Sequence, residues 1–390
     1  MSDEKAVIDH VISIGYNRSA STTGETEAMN YIKKELQDNN LDSRIDYFEW
    51  SGPLEILLRI SYVIIISYLL IYRLFLIVVA YFIIKYMFAT TRNMTLFKKE
   101  ESKNIFTTIS PSEYPSNRPL VIISAHYDSL STNLPYRLQL VIFFVYRLIV
   151  IFYVIVAITF ATLFTLEYLG ILAISNFMVL FITGSSIGGV MVSIPIVYLV
   201  FVEKPSPGSI DNASGVAISI ELAKLLKKNP LEKMDVIVLW TGAEEWGLKG
   251  SKYFCKKYFK NFKQKYDLSN SFNINIDMVG TYIGLLNKTG LIIRRKVNKN
   301  LNDKLDAMAK QLNIPLVRYN KIIKPKSDYK TFKKYARRVR RKFQVSCFHS
   351  SKDSKYIHSA RDIPDNCSIE NLNGCLKICY HTIKSIDSSL

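Results

Sequence analysis

Outside two long apolar stretches, hydrophobic and polar positions follow the periods of short strands and amphipathic helices. Between residues 23 and 39, Ala28, Ile32 and Leu36 recur at helical spacing with charged residues between them, which predicts a helix. Similar patterns predict helices over residues 214–228, 250–262 and 369–383. Apolar runs of strand length predict strands over residues 46–50, 104–109, 120–125, 235–240, 272–278, 291–294 and 343–348.

Predicted strands alternate with predicted helices along these parts of the chain. This order is typical of an α/β fold with a mainly parallel mixed sheet flanked by helices. In such sheets, ligands bind at the carboxyl ends of the strands. We therefore expect any functional side chains in the segments that follow the strands.

Two stretches, residues 54–90 and 136–202, are far more apolar than the rest. The second has no charged residue over 148–166 or over 168–202. A membrane-spanning helix needs about 20 apolar residues. We predict an inserted transmembrane hairpin of two helices in each stretch. One long span in the first stretch, more than two in the second, or buried core helices of a soluble protein are the alternatives.

Each apolar stretch interrupts material predicted to form one discontinuous domain, made of residues 1–53, 91–135 and 203–390. Both ends of an insertion must then lie on the same side of the membrane, so Arg73 and Glu167 would mark the far side. The positive-inside rule places the discontinuous domain of this multi-pass protein in the cytoplasm. The basic residues at the near side are Arg59, Lys85, Arg92, Lys98, Lys99, Arg137 and Lys204.

Composition adds two constraints. The chain of 390 residues carries 51 lysines and arginines against 33 acidic residues, a net charge of +18 that favours anionic surfaces such as lipid headgroups or nucleic acid. Its five cysteines form no C-x-x-C pair and are predicted to be reduced thiols. The polar N-terminal residues predict no secretory leader.

Candidate metal ligands follow the predicted strands. His126 and Asp128 follow one strand, Glu244 and Glu245 follow another, and Asp277 lies at the end of a third. Taken singly, each is also explained by a capped turn, a solvated acidic pair or a strand cap. Carboxylates beside buried strands nevertheless need partners, and a metal ion is one.

Five motifs occur in a fixed order, namely A-H-Y-D-S, G-S-I-D-N-A-S-G-V-A, G-A-E-E-W-G-L-K-G-S, N-I-D-M-V-G and I-H-S-A-R-D. The series resembles the dinuclear zinc exopeptidases (clan MH metallopeptidases). These include leucyl-type aminopeptidases, glutamate carboxypeptidases and, with one zinc, glutaminyl cyclases. The segment from Arg18 to Ala20 is also similar to the family. The resemblance covers nearly all of the chain outside the two insertions and implies a phosphorylase/hydrolase-like fold.

The resemblance implies a site with two zinc ions. The ligands would be His126 and Asp277 for the first ion, Glu245 and His358 for the second, and Asp211 as the bridge. Asp128 would orient His126, and Glu244 would be the general base. Zinc takes imidazole and carboxylate ligands, and a catalytic site leaves a position open for water.

Two segments depart from a simple match. His349 shares an H-S-x-x-D pattern with His358 and competes for the role of last ligand; we favour His358. Tyr329 replaces the histidine of the family's S-D-H segment, and the strongly basic run 333–342 follows it. That run is open to three interpretations: a solvated loop, contact with anionic lipid, or contact with nucleic acid, for which no binding motif is present.

The sequence as a whole predicts a membrane-anchored zinc aminopeptidase that acts on peptides, with membrane lipid and no nucleic acid as a partner. A glutaminyl-cyclase-like transferase, a carboxypeptidase and an inactive peptidase fold used as a binding module are the alternatives. A transporter would need polar groups within the spans. The oligomeric state, the preferred residue and the natural substrate stay open.

Overall fold

The computed structural model describes residues 5–52, 54–72, 74, 77–78, 99–113, 117–132, 134–201, 204–290, 294–322 and 325–390. The chain divides into two compact units. The first comprises Met1–Trp50, Glu101–Ser131 and Lys204–Leu390, and the second comprises Ser51–Glu100 and Thr132–Glu203.

A mixed sheet forms the centre of the first unit. Its strands, within the described residues, are β1 (Ser43–Trp50), β2 (Glu100–Ile109), β3 (Leu120–His126), β4 (Asp235–Thr241), β5 (Phe272–Ile276), β6 (Gly284–Thr289), β7 (Arg295–Lys296), β8 (Val317–Lys321) and β9 (Gln344–Phe348). They lie in the order β1-β2-β4-β3-β5-β9-β6-β7, with β8 paired to β6. The strands β4, β3, β5 and β9 run parallel, whereas β2 and β6 are antiparallel to their neighbours β4 and β9. The predicted α/β fold with a mainly parallel mixed sheet is confirmed.

The strands β3 and β4 are buried at every position. A strand covered on both faces is built from a nearly continuous apolar run, which is what both sequences contain. Their register pairs Leu120 with Asp235 and His126 with Thr241. Both strands therefore end at the same level of the sheet.

The helices of the first unit are α1 (Ala6–Ser13), α2 (Thr23–Asp38), α6 (Ser214–Lys228), α7 (Lys249–Lys265), α8 (Asn300–Gln311), α9 (Tyr329–Arg338) and α10 (Ile369–Ser388). The helix α2 begins where the Thr22 side chain accepts the backbone N–H of Glu25, a common N-cap. On α7, Phe254 and Phe259 pack against Phe332 of α9 at ring-centroid distances of 6.5 and 6.2 Å. All five cysteines are buried and free, as predicted.

The second unit contains α3 (Leu54–Ile71), α4 (Tyr136–Tyr168) and α5 (Asn176–Phe201). The stretches Leu138–Tyr168 and Asn176–Tyr198 are long and apolar enough to cross a membrane by length and composition. Buried residues make up only 12% and 24% of their apolar windows, whereas a soluble core helix would be mostly buried. Glu167 lies near the end of α4, where its side chain accepts the N–H of Ile174 at 3.1 Å.

Several local predictions were incomplete. The strand predicted over 272–278 ends at Ile276. Residues 291–293 of the strand predicted over 291–294 lie outside the described residues. Arg73 and residues 79–98, which belong to the first apolar stretch and the segment after it, also lie outside them. The helix α9 was not predicted because its many cations obscure the few apolar residues of its buried side. The interpretation of the basic run as a solvated loop is therefore wrong for residues 333–338, which belong to α9.

Candidate metal centre

The predicted site residues meet at one edge of the sheet. His126 is the last residue of β3 and pairs with Thr241, the last residue of β4. Asp277 directly follows β5, which runs parallel to β3. Because the carboxyl ends of parallel strands share one edge, the loops after these strands converge.

The loop before α6 brings Asp211 to the same edge, and the Asn212 side chain fastens it there. The Asn212 amide donates to the carbonyl of Ile276 at 2.9 Å, and its oxygen accepts the N–H groups of Gly215 and Met278, each at 3.1 Å. A Cβ atom on Gly215 would collide with the Ile276 carbonyl oxygen, so glycine is required at this close approach. The sequence did not predict this role of Asn212, although the residue lies within the motif G-S-I-D-N-A-S-G-V-A.

Asp362 and Arg18 hold the other side of that loop. The Asp362 carboxylate accepts the N–H of Ile210 at 2.6 Å and that of Asp211 at 3.2 Å. The Arg18 guanidinium donates to the carbonyls of Pro207 at 2.7 Å and Gly208 at 2.9 Å. Neither support was predicted, although both residues lie in motifs that carry the family resemblance.

The five predicted ligands come together around Asp211. One Asp211 oxygen lies 3.0 Å from His126 Nε2, and the other lies 3.4 Å from His358 Nε2. Asp277 Oδ1 lies 3.6 Å from His126 Nε2, and Glu245 Oε1 lies 3.0 Å from His358 Nε2. Ligand atoms of His126, Asp211 and Glu245 all lie within 4.8 Å of one another. The arrangement places Asp211 between the two imidazoles.

The electrostatics of this cluster match a cation site. Burial alone would lower the pKa of His358, but Glu245 and Asp211 raise it to about 10. Burial lowers the pKa of His126 as well, and the surrounding carboxylates raise it well above its usual range. Burial would raise the pKa of Asp211, but the imidazoles of His126 and His358 outweigh this effect and lower the pKa below its usual value. When unprotonated, the cluster gathers three carboxylates and two neutral imidazoles, and divalent metal ions would neutralise this negative charge.

Glu244 lies beside the cluster. Burial raises the pKa of Glu244 well above its usual range. The charge of His126 opposes this shift, whereas the carboxylates of Asp328 and Glu245 add to it. Its buried Oε1 atom has no hydrogen-bond partner among the described residues. A buried, unpartnered carboxylate oxygen is costly, and a metal-bound site with water would supply what it lacks. The donor set of imidazole nitrogens and carboxylate oxygens fits zinc.

Asp128 contacts His126, which it was predicted to orient, and also the loop after β4. The carbonyl of Asp128, at 3.0 Å, lies closer to His126 Nδ1 than its carboxylate, at 3.7 Å. The carboxylate instead accepts the backbone N–H of Glu244 at 3.0 Å and that of Glu245 at 3.2 Å. Asp128 therefore touches both the histidine and the loop that carries the two glutamates.

The competing histidine occupies a different position. His349 follows β9, and its Nδ1 lies 2.9 Å from the Tyr319 hydroxyl. Burial and then the charge of Lys321 lower the pKa of His349 to about 4. Since His358 contacts Asp211 and Glu245, this arrangement favours His358 as the last ligand.

The segment that departs from the family pattern is buried. Asp328 accepts the hydroxyl of Thr241 at 2.6 Å, and burial raises the pKa of Asp328 to about 6. Tyr329, which replaces the family's histidine, belongs to the apolar core between α7 and α9. The structure thus gives Tyr329 a packing role.

Residues 193–383 match the family model described as Peptidase family M28. The chain fits the zinc exopeptidase family. The matched segment includes Asp211, Glu244, Glu245, Asp277 and His358, whereas His126 precedes it. The chain is also similar to Aminopeptidase YwaD of Bacillus subtilis (strain 168), with 40% identity over 76 residues. That match spans 20% of this chain and 16% of the length of the curated relative.

Solved structures share the fold. An aminopeptidase from Aneurinibacillus sp. strain AM-1 matches with a TM-score of 0.57 and 13% identity, over 98% of this chain and 93% of that one. BSAP, a zinc aminopeptidase from Bacillus subtilis, matches with a TM-score of 0.56 and 14% identity, over 98% and 95%. Fimbriiglobus ruber glutaminyl cyclase matches with a TM-score of 0.57 and 12% identity, over 98% and 95%. At these identities the structures establish the fold alone, and together with the family match they support a metallopeptidase hydrolase.

Proposed function

We propose that this chain is a zinc-dependent aminopeptidase, held at a membrane by its apolar helices, that removes the N-terminal residue of peptides. The observation that carries the proposal is the cluster in which Asp211 lies between His126 and His358, with Glu245 and Asp277 completing it. Two imidazoles and three carboxylates are enough donors for two ions that share one bridging carboxylate.

We assign the ligands as follows. His126 and Asp277 would hold the first zinc, Glu245 and His358 the second, and Asp211 both. Bound zinc would supply a Lewis acid that lowers the pKa of water and polarises the peptide carbonyl. The backbone hydrogen bonds to Asp128, Asn212 and Asp362 would fix three of the carrying loops before substrate binds.

Glu244 would act as the general base. It is buried, its Oε1 atom has no partner among the described residues, and its backbone is held by Asp128. In this role the Glu244 carboxylate accepts the proton of the attacking water and then donates it to the leaving amine. The raised pKa of Glu244 favours a group that both takes up and returns a proton. Divalent ions nearby would lower that pKa again towards the working pH.

Membrane attachment is supported by α4 and α5, which are long and apolar enough to span a bilayer. We propose that residues 54–90 and 136–202 are transmembrane insertions, and that the remaining residues form a discontinuous zinc peptidase domain on the cytoplasmic side.

The test is hydrolysis of a panel of aminoacyl-arylamides by the detergent-purified full chain, with and without chelator. The paired variant is Glu244→Gln, and Glu232→Gln on the exposed surface is the matched control. We expect zinc-dependent turnover in the parent and the control, and a loss of about 10²–10⁴-fold in Glu244→Gln with zinc still bound. Chelator-resistant hydrolysis, or full activity in Glu244→Gln, would reject the mechanism.

A glutaminyl cyclase is the second candidate, because a glutaminyl cyclase matches the fold with the same TM-score as an aminopeptidase. A peptide with N-terminal glutamine separates the two activities by mass spectrometry. An aminopeptidase releases free glutamine and shortens the peptide, whereas a cyclase releases ammonia and leaves the peptide at full length. Cleavage of an N-terminally blocked peptide would favour a carboxypeptidase, and bound zinc without any turnover would favour a binding module.

A further inference from the structure

The positive charge of the chain is concentrated in one segment. Residues 288–342 contain nineteen lysines and arginines against three aspartates and no glutamate, which gives +16 out of the net +18 of the whole chain. This segment lies outside every metal-site motif. The proposed peptidase chemistry therefore does not account for the charge.

The cations of this segment converge on a groove of about 580 Å³ between α9 and the β7 hairpin. The charged lining residues are Arg295, Lys296, Lys330, Lys333, Lys334, Arg337 and Arg338. The remaining lining residues, Thr289, Val297 and Tyr329, are neutral. Within the described part of the chain, the groove thus presents seven cations and no carboxylate.

The groove owes its charge to the periodicity of α9. Its five cations lie at successive spacings of three, one, three and one residues, which places them along one face of the helix. The opposite face buries Phe332 and Ala336. Lys333 also donates to the carbonyl of Val297 at 2.6 Å, which joins α9 to the segment that follows β7.

The exposed cations Lys334, Arg337 and Arg338 lie close together on α9. Like charges three and four residues apart repel on a helix. The three aspartates of the segment are engaged elsewhere: Arg318 pairs with Asp303 at 2.8 Å and lies 3.6 Å from Asp306, and Asp328 is buried against Thr241. An external polyanion would relieve the repulsion.

We propose that this cationic groove binds the phosphate-bearing headgroups of anionic phospholipids at a membrane surface. Arginine and lysine bind phosphate through charge-assisted hydrogen bonds, and clusters of lysine and arginine bind anionic leaflets. The same chain carries two helices long and apolar enough to span a bilayer, so lipid would be present at high effective concentration. The only aromatic lining residue, Tyr329, is buried, which leaves no stacking platform for nucleic-acid bases among the described lining residues.

The test uses the full chain in micelles of a neutral detergent, so it does not depend on how many helices span a membrane. Micelles are doped with phosphatidylserine or with zwitterionic phosphatidylcholine, and amide hydrogen exchange is followed in residues 294–299 and 329–338. Two further arms add pyrophosphate or a single-stranded oligonucleotide to the phosphatidylcholine micelles. The triple variant K334Q/R337Q/R338Q removes three exposed charges of α9, and K227Q/K228Q/K256Q removes three exposed charges elsewhere.

We expect phosphatidylserine, and not phosphatidylcholine, to slow exchange in both segments of the parent and of the control variant. Each removed charge weakens such binding about fivefold, so the α9 variant, which lacks three charges, should need about a hundredfold more phosphatidylserine. Raising the salt concentration should abolish the protection. Equal exchange in both lipids, equal behaviour of the two triple variants, or stronger protection by pyrophosphate or the oligonucleotide would overturn the proposal. Zinc content should be the same in all proteins, because the α9 residues lie outside the metal cluster.

Discussion

The Asp128 carboxylate accepts the backbone N–H of Glu244 at 3.0 Å. This hydrogen bond joins the end of β3 to the loop after β4, and the other oxygen of Asp128 accepts the N–H of Glu245. Because Asp128 also contacts His126, it sets the relative positions of His126, Glu244 and Glu245. We regard it as a positioning residue.

Asp128→Asn should therefore loosen the loop after β4. The asparagine amide can accept only one of the two N–H groups, so one hydrogen bond to a charged acceptor is lost and stability should fall by about 2 kcal/mol. Zinc affinity should fall about 10–100-fold, as for other changes just outside a ligand shell. Thermal unfolding and zinc competition titrations measure both effects. Exposed Asp42→Asn is the control, and unchanged zinc affinity in Asp128→Asn would contradict the positioning role.

The two competing histidines should separate cleanly by zinc content. His358→Asn removes an imidazole that contacts Asp211 and Glu245, so we expect the loss of about one zinc ion per chain, measured by elemental analysis after gel filtration. His349→Asn, which alters the contact with Tyr319 and not the pairing of His358 with Glu245, should retain the zinc of the parent. The reverse pattern would identify His349 as the ligand.

The buried His349 side chain should make the stability of the protein depend on pH. Burial and Lys321 lower its pKa from 6.5 to about 4, so the folded protein keeps the imidazole neutral. As the pH falls below the unfolded-state pKa of about 6.5, the unfolded chain binds a proton that the folded chain does not. This favourable contribution of His349 to the free energy of unfolding is therefore fully present above pH ~6.5. It is lost progressively as the pH falls to ~4, by about 3 kcal/mol in total.

Denaturant unfolding at a series of pH values between 7.5 and 4 would measure this loss. His349→Gln should lose about 3 kcal/mol less than the parent over that range, because glutamine does not titrate. Lys321→Met should have a smaller effect in the same direction, since the cation that opposes protonation of His349 is gone. Parallel curves for the parent and His349→Gln would show that this imidazole does not control acid sensitivity.

Arg18 should be a large contributor to the stability of the first unit. Its guanidinium is fully buried and donates to the carbonyls of Ile14, Tyr16, Tyr127, Pro207 and Gly208. Arg18→Met removes the side-chain donor from all five carbonyls, of which those of Ile14 and Gly208 keep a backbone N–H partner. We expect a loss of at least about 3 kcal/mol in the free energy of unfolding. Arg44→Met, at a position less buried on β1, is the control and should cost far less. Equal losses would mean that the carbonyls find other partners.

Much of the sheet could be predicted, because β2, β3, β4 and β9 are apolar runs of strand length. The strands β6 and β8 were missed, since β6 shows no alternation of apolar and polar residues and β8 has no buried position. The site was predictable as a set of residues: His126, Asp211, Glu245, Asp277 and His358 all lie in motifs and come together. What supports them was not predictable, because Asn212 and Asp362 act through backbone groups of other segments.

The sequence by itself determined the α/β class, the two apolar insertions and the identity of the candidate ligands, because periodicity, composition and motifs are local properties of the chain. Tertiary structure alone decided that Asp128 binds the loop of Glu244, that His358 and not His349 contacts Glu245, and that the cations of α9 and β7 share one groove. Each of these contacts joins segments far apart in the chain. Only the order and register of the strands bring such segments within hydrogen-bonding or electrostatic range.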